Sequence, residues 1–228
     1  EKYGFTREQL DEFALASHQK AATATAEGRF AEQIVPVVVK NGREEVLFAT
    51  DEHVRAQVSL ADLAKLKPAF KKDGLVTAGN ASGINDGAAS LLLANVNTAA
   101  ELGLKVRARL VANAFAGVDP KLMGLGPVAA VPKALAQAGL SIADMDVIES
   151  NEAFAAQAMA VAQELGFAAE KVNPNGGAVG MGHPVGATGA ILTVKTLYEL
   201  ERTGGRYGLI TLCIGGGQGI ALIIERVS

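Results

Sequence analysis

Two helical patterns stand out in the first third of the chain. Thr6 and Gln9 have the spacing of a capping box, and the small and apolar residues that follow recur at helical spacing, so we predict a helix over residues 7–27. Ser59 precedes a second, shorter pattern that ends before Pro68. A serine accepts a hydrogen bond well at a helix start, so a short second helix is predicted there.

Between these helices, two β-branched runs predict a hairpin. Residues 34–39 (IVPVVV) and 46–50 (VLFAT) flank the dipeptide Asn41-Gly42, a turn sequence typical of tight hairpins. Pro36 has no backbone N–H to give to a strand ladder, so the first run is predicted to lie at an edge.

The pattern changes after a polar, glycine-rich stretch at residues 73–87, where we expect a domain boundary. Apolar runs then alternate with helical patterns, which predicts a sheet with helical crossovers. The predicted strands are residues 90–95 (SLLLAN), 107–117 and 145–150, and the predicted helices are residues 97–103, 128–139 and 151–166.

The last 42 residues continue this pattern with a helix and a hairpin. Residues 187–205 have helical spacing, and the apolar runs 207–214 and 219–227 flank a glycine-rich turn. Cys213 is predicted near the tip of this hairpin. The whole pattern favours an α/β fold.

Composition narrows the class of protein. Of 228 residues, 49% are apolar, enough for a buried core, and the net charge of −3 provides no broad basic surface for nucleic acid. No apolar run reaches the ~18 residues of a membrane span. A single Cys excludes an internal disulfide and a Cys-rich metal site, so we expect a cytoplasmic protein and no bound metal. The chain opens on Glu1 rather than Met, and we expect it to be a piece of a longer protein.

Three polar residues lie in glycine-rich or helix-start contexts: Asn151 in NEAF, His183 in GHPVGATG and Cys213 in CIGGGQG. Each has a structural and a chemical interpretation. Asn151 could cap a helix or hold a water, with Glu152 as a first-turn acid; His183 could be structural or catalytic; Cys213 could be an inert core thiol. Free N–H groups in the turn that begins at Gly215 could instead form an oxyanion hole beside the thiol.

A small basic patch surrounds Phe70. It could meet a phosphate and an adenine face, although a solvated charged surface is the simpler interpretation. Ser82 could bond a polar ligand arm or merely build a turn. The basic residues of the patch are Lys65, Lys67, Lys71 and Lys72.

Six motifs together resemble the thiolase family, in its biosynthetic acetyl-CoA acetyltransferase branch. The motifs are TREQLDEFALASHQKA, GNASGINDGAA, GVDPKLMGLGP, NEAFAAQ, NPNGGAVGMGHPVGATGA and CIGGGQG, so the resemblance covers the whole chain. It implies part of a loop domain at residues 1–82, followed by a C-terminal thiolase half at residues 83–228. That half has βαβαβαββ topology, with a five-stranded mixed sheet and helices on both faces.

The resemblance also implies catalytic roles. His183 is the base that activates a nucleophilic Cys and also donates to a thioester oxygen, and Asn151 holds a water in the same oxyanion hole. Cys213 is the general acid/base, and the Gly215 N–H belongs to the oxyanion hole of the acyl-enzyme. Thr188 stands where many relatives have Ser and keeps the hydroxyl.

Further residues are implied in substrate binding. Ser82 contacts the pantetheine arm, Met123 and Phe154 line the acyl pocket, and Arg55 lies near the nucleotide end of CoA. Phe70 and Ala78 complete the implied set.

The implied reaction joins two acetyl-CoA into acetoacetyl-CoA and CoA, or reverses this by thiolysis, with CoA thioesters as substrates and no cofactor. The family's nucleophile lies in an N-terminal half, and this chain has no second Cys. The expected partners are therefore acyl-CoA, an N-terminal thiolase half and further copies in a homotetramer, but neither nucleic acid nor membrane. A non-catalytic thiolase-like half that binds acyl-CoA or supports assembly, and a ketoacyl synthase, remain alternatives.

Overall fold

The computed structural model describes residues 2–227 and begins with helix α1 (Arg7–Ala26). Thr6 accepts a hydrogen bond from Gln9 N, and the Gln9 side chain accepts one from Thr6 N, so the capping box and the first predicted helix are confirmed. Leu10 and Ala14 are fully buried, which anchors α1 to the rest of the molecule.

The predicted hairpin and second helix are also confirmed. Strands β1 (Val37–Asn41) and β2 (Glu44–Phe48) pair antiparallel, and every residue of both is exposed. Helix α2 (Leu60–Ala64) begins after Ser59, which forms a capping box with Asp62.

A four-stranded mixed sheet forms the second part of the molecule. Its order is β3-β6-β5-β4, with β4 and β5 parallel and the other pairs antiparallel. The strands are β3 (Ala108–Gly117), β4 (Val147–Ser150), β5 (Tyr207–Ile214) and β6 (Gln218–Arg226). The helices are α3 (Val96–Glu101), α4 (Gly126–Ala138), α5 (Ala155–Leu165), α6 (Ala178–Met181) and α7 (Thr188–Thr203), with short 3₁₀ turns at Pro120–Leu125, Ile142–Asp144 and Ala169–Lys171.

Helices cover both faces of this sheet. On one face, α4 packs through Val131 against a core that includes Ile223. On the other, α7 packs through Leu200 against Ile210. The expected mixed α/β architecture is thus confirmed, and no helix among residues 2–227 is long and apolar enough to cross a membrane.

The expectation of five strands is corrected to four. Where a fifth strand would pair with β4, Val172 forms only an isolated parallel bridge with Ile148. Asn173 then adopts a left-handed conformation (φ 42°), and its side chain takes over the ladder bonds by accepting from Ser150 N and donating to Ser150 O, both at 2.9 Å. A side-chain amide therefore replaces the next pair of strand residues.

The predicted strand at residues 90–95 is wrong. These residues have no regular structure, and Leu92 and Leu93 are each 81% exposed. A strand needs a neighbour for its backbone N–H and C=O groups, and the described residues provide none here. The adjoining prediction, a helix over residues 97–103, is confirmed by α3.

Candidate active site

Asn151 lies at the carboxyl end of β4. Its backbone N–H donates to Thr211 O of the parallel strand β5 (3.0 Å), and its side chain is buried. The interpretation of Asn151 as a helix cap is wrong, because α5 begins at Ala155 with Phe154 as the N-cap residue. Instead, Asn151 Nδ2 lies 3.2 Å from His183 Nε2.

The hydrogen bonds around His183 define its tautomer. Its Nδ1 lies 2.7 Å from Thr188 Oγ1, and the Thr188 hydroxyl donates to Pro184 O (2.9 Å), so Nδ1 carries the proton and donates to Thr188. Nε2 is then left with a lone pair that accepts from Asn151 Nδ2. Burial lowers the pKa of His183, which keeps the ring neutral and able to accept a proton.

The backbone of His183 is held by the glycine-rich stretch that ends the first part of the chain. His183 N donates to Gly83 O (3.0 Å) and to Asn85 Oδ1 (3.2 Å). Gly182 adopts φ +95°, and a Cβ there would overlap the Asn85 side chain. Only glycine allows the chain to pass this close to Asn85, so both residues fix the approach of the ring.

Cys213 lies on β5, two residues beyond Thr211, to which Asn151 is bonded. It pairs with Gly219 of β6 and is partly buried. Burial raises the pKa of the Cys213 thiol, so the sulfur carries its proton at neutral pH. Asn151 and Cys213 therefore lie at the same edge of the sheet, on neighbouring strands.

The turn after Cys213 is held by backbone contacts. The predicted hairpin is confirmed by β5 and β6, with Gly215, Gly216 and Gly217 between them. Gly217 has φ +90°, its carbonyl accepts from Val118 N (2.7 Å), and a Cβ there would overlap Val118 O. Main-chain contacts of Gly217 thus hold the turn that contains Gly215.

Three of the predicted substrate-binding residues lie together. Ser82 donates to Ala153 O from both its N (3.0 Å) and its Oγ (3.1 Å), and the preceding residue, Ala81, bridges to Phe154. The rings of Phe70 and Phe154 meet edge to face, with centroids 6.1 Å apart. Phe70 is 76% exposed and so is free to contact a ligand.

No contact described in the structure joins the other three to this group. Met123 is half-buried in the 3₁₀ turn that packs against α5 and β5. Arg55 and Ala78 are exposed, and the Arg55 backbone N–H donates to His18 Nδ1 (3.2 Å). The contacts of the described residues join neither Arg55 nor Ala78 to His183, so their roles stay predictions.

Glu152 differs from its predicted role as a first-turn acid, since it precedes α5 and is buried. Its carboxylate accepts from Ser17 Oγ (2.6 Å), Asn173 Nδ2 (2.8 Å) and Val179 N (3.2 Å). The interpretation was wrong because the helix starts three residues later than the pattern indicated.

Several residues of the site escaped the sequence interpretation. Asn85 and Asn173 lie in Gly- and Asn-rich stretches that suggest turns, and Ser17 lies inside a helix. Thr188, by contrast, could be found from the sequence, because it places a hydroxyl group close after His183. No group of three His, Cys, Asp or Glu side chains among residues 2–227 could hold a metal ion.

Comparison with known proteins shows which family the chain resembles. Family models described as "Thiolase, N-terminal domain" and "Thiolase, C-terminal domain" match residues 1–97 and 104–226. The beta-ketothiolase BktB of Cupriavidus necator is 56% identical over 227 residues, covering 99% of this chain and 58% of the relative. The acetyl-CoA acetyltransferase of Pseudomonas aeruginosa is 55% identical over the same length, also covering 99% and 58%.

Solved structures agree. The Bacillus anthracis acetyl-CoA acetyltransferase superposes with a TM-score of 0.97 at 53% identity, covering 99% of this chain and 57% of that one. The human mitochondrial 3-ketoacyl-CoA thiolase in complex with CoA has a TM-score of 0.92 at 42% identity, covering 99% and 56%. The chain thus spans less than three-fifths of the length of these relatives. The division into two domains at residue 82 stays a prediction. The matches to both domain models, over almost every residue, show that the chain belongs to the thiolase family.

Proposed function

We propose that this chain supplies the base, the acid/base and part of the oxyanion holes of an acetyl-CoA C-acetyltransferase. The reaction joins two acetyl-CoA into acetoacetyl-CoA and CoA, or runs in reverse as thiolysis. The observation that carries the proposal is the pair Asn151 Nδ2 and His183 Nε2, 3.2 Å apart beside the strand that bears Cys213.

The first half-reaction needs a nucleophilic thiol from outside this chain. Neutral His183 accepts the proton of that thiol through Nε2, and the thiolate attacks the carbonyl carbon of acetyl-CoA. The carbon–sulfur bond to CoA then breaks. The raised pKa of Cys213 keeps its thiol protonated, so that it holds a proton to give to the departing CoA sulfur.

The second half-reaction uses the Cys213 thiolate that this transfer leaves. The thiolate takes an α-proton from a second acetyl-CoA, and the resulting carbanion attacks the acetyl group on the nucleophile. The bond to the nucleophilic sulfur breaks, acetoacetyl-CoA forms, and protonated His183 returns its proton to that sulfur. His183 and a water held by Asn151 stabilise the enolate oxygen, while the Gly215 N–H stabilises the tetrahedral oxyanion.

We also propose that an N-terminal thiolase half, on the same polypeptide or an accompanying one, carries the nucleophile. The only Cys in the sequence is Cys213. An apolar strip of exposed residues at 91–96 offers a surface for that half. Its members are Leu91, Leu92, Leu93 and Val96. We call this chain together with the N-terminal half the complete protein.

Substrate binding follows from the exposed aromatic and polar residues near the site. The pantetheine and acyl parts of CoA thioesters are proposed to contact Ser82, Phe70 and Phe154. Further contacts with these substrates are proposed for Met123, Ala78 and Arg55. A cytoplasmic homotetramer that needs no cofactor completes the proposal.

One observation favours a second candidate, a thiolase-like half that binds acyl-CoA without turnover. The single Cys is a protonated, partly buried thiol, which is a poor nucleophile. Mass spectrometry of the complete protein after incubation with acetyl-CoA separates the two. An acetyl group bound to the N-terminal half supports the transferase, and its absence supports the binding protein.

The variant Cys213→Ala of the complete protein tests the acid/base role of Cys213. We expect an acetyl-enzyme still to form, while exchange of α-protons on acetyl-CoA slows by about 100-fold or more, as for other lost acid/base groups. Ser141→Ala is the control, because Ser141 is exposed and caps only its own 3₁₀ turn. Unchanged exchange in the Cys213 variant would exclude this role.

A further inference from the structure

Helix α6 (Ala178–Met181) helps to position His183, because it ends two residues before it. A helix of four residues forms too few internal hydrogen bonds to hold itself. Its position must come from contacts with other parts of the molecule.

Besides the apolar packing of Val179 on Ala14 and Leu63, two buried side chains supply hydrogen bonds to this helix. Glu152 Oε2 accepts from Val179 N at 3.2 Å. The Ser17 hydroxyl of α1 accepts from Gly177 N (3.1 Å) and Gly180 N (3.2 Å) and donates to Glu152 Oε2 (2.6 Å). All the hydrogen-bonding capacity of the Ser17 hydroxyl is therefore used.

Two glycines allow this close approach. A Cβ at Gly177 would overlap the Glu152 carboxylate, and a Cβ at Gly180 would lie 2.8 Å from Ser17 O. The backbone of this segment therefore packs directly on the Glu152 side chain and on the backbone of α1 at Ser17. A shift of either side chain must move the backbone that leads to His183.

The other end of the arrangement is Asn151. Glu152 follows Asn151 directly, and its second oxygen accepts from Asn173 Nδ2 (2.8 Å). Asn173 is itself bonded to both Ser150 N and Ser150 O. One carboxylate thus ties the end of β4, which carries Asn151, to the segment that carries His183.

We infer that Glu152 and Ser17 are positioning residues that clamp α6 and so hold His183 Nε2 within hydrogen-bonding reach of Asn151. The inference rests on the proposed function for its kinetic consequence. Neither side chain touches substrate.

The donors around Glu152 require a carboxylate. Ser17, Asn173 and Val179 all give a hydrogen to it. The side-chain amide that Glu152→Gln would introduce has only one acceptor oxygen. Its NH₂ group would therefore point at one of these donors. Because the Asn173 amide is bonded at both ends to Ser150, it cannot turn to relieve that clash.

The test uses Glu152→Gln and Ser17→Ala in the complete protein, with Glu170→Gln and Ser141→Ala as exposed controls. The first measurement is the titration of the His183 ring by NMR with labelled histidine, the signal being assigned from its absence in His183→Asn. Burial lowers the pKa of His183 in the parent. We expect it to rise toward its ordinary value in both clamp variants, as water enters, and to stay unchanged in the controls.

The second measurement is single-turnover acetylation by acetyl-CoA. A displaced base slows the step without weakening binding, so we expect the rate to fall by about 10- to 100-fold while the Kd of acetyl-CoA stays within about two-fold. Ser17→Ala removes no buried charge and keeps the test valid if Glu152→Gln does not fold.

The clamp is overturned if a folded clamp variant shows the parent titration of His183 and the parent acetylation rate, even with a lower Tm. If the parent itself forms no acetyl-enzyme, the proposed function fails. The His183 titration then still decides the clamp.

Discussion

The sheet and the apolar strip have similar composition but opposite environments. Ile223 of β6 is fully buried between helices, whereas Leu92 is 81% exposed. Both lie in runs of large aliphatic residues with similar patterns. An apolar run thus indicates that a segment is to be buried, but not whether the chain itself supplies the covering surface.

The largest expected effect extends this contrast between buried and exposed surroundings to two ion pairs. Lys195 donates to Glu149 Oε2 (2.8 Å) behind the sheet, with side chains 5% and 0% exposed, whereas Lys65 pairs with Asp62 at the surface (3.1 Å). We expect Lys195→Met to lower the free energy of unfolding of the complete protein by about 3–5 kcal/mol, since it leaves a buried carboxylate unpaired.

The matched change Lys65→Met should cost at most about 1 kcal/mol, as for other surface ion pairs. Urea unfolding of the complete protein measures both. Similar costs for the two variants would contradict the contrast in burial.

A second pair of substitutions compares the apolar runs directly. Ile223→Ala should lower the free energy of unfolding by about 2–5 kcal/mol, because it leaves a cavity in the core. Leu92→Ala should change it by less than about 0.5 kcal/mol in this chain alone but by about 2 kcal/mol or more in the complete protein, where the strip is covered.

The deciding measurement is the free energy of unfolding of the Leu92→Ala variant, in this chain alone and in the complete protein. If its cost is equally small in both, the N-terminal half does not cover the apolar strip and the proposed contact is wrong.

A third comparison concerns pH and the buried part of α1. Burial, together with neighbouring His53 and Arg55, lowers the pKa of His18 from 6.5 to about 4. Between these values the unfolded chain binds more protons than the folded one, so this contribution to stability is present above pH 6.5 and is lost as the pH falls toward 4.

His18→Gln should therefore flatten the pH dependence of stability in that window. Urea titrations at several pH values on parent and variant would show the difference. Equal slopes would mean that His18 is not protected from protonation by the fold. The burial of α1 would then be weaker than that of the sheet.

Much of the fold was predictable because its signals are local. The capping box of Thr6 and Gln9, the Asn41-Gly42 turn and the glycines after Cys213 each determine structure through neighbouring residues. The thiolase motifs added the helices on both faces of the sheet.

The failures depend on contacts distant in sequence. The run 90–95 needed a neighbouring strand, and the fifth strand gave way to the Asn173 side chain. Glu152 looked like a helix acid, because nothing in the sequence places Ser17, 135 residues earlier, against its carboxylate. The sequence singled out Asn151 and His183 separately, but their contact came only from the fold.

The parallel pairing of β4 with β5 has a consequence for how such a protein can be divided. Because the two strands end at the same edge, Asn151 and Cys213 stay together on any fragment that begins before β4. His183 is tied to that edge through Asn151. Gene fission upstream of β3 would therefore separate these groups from the proposed nucleophile of the N-terminal half, and rejoining the two products would bring that nucleophile back without re-forming any strand of this sheet.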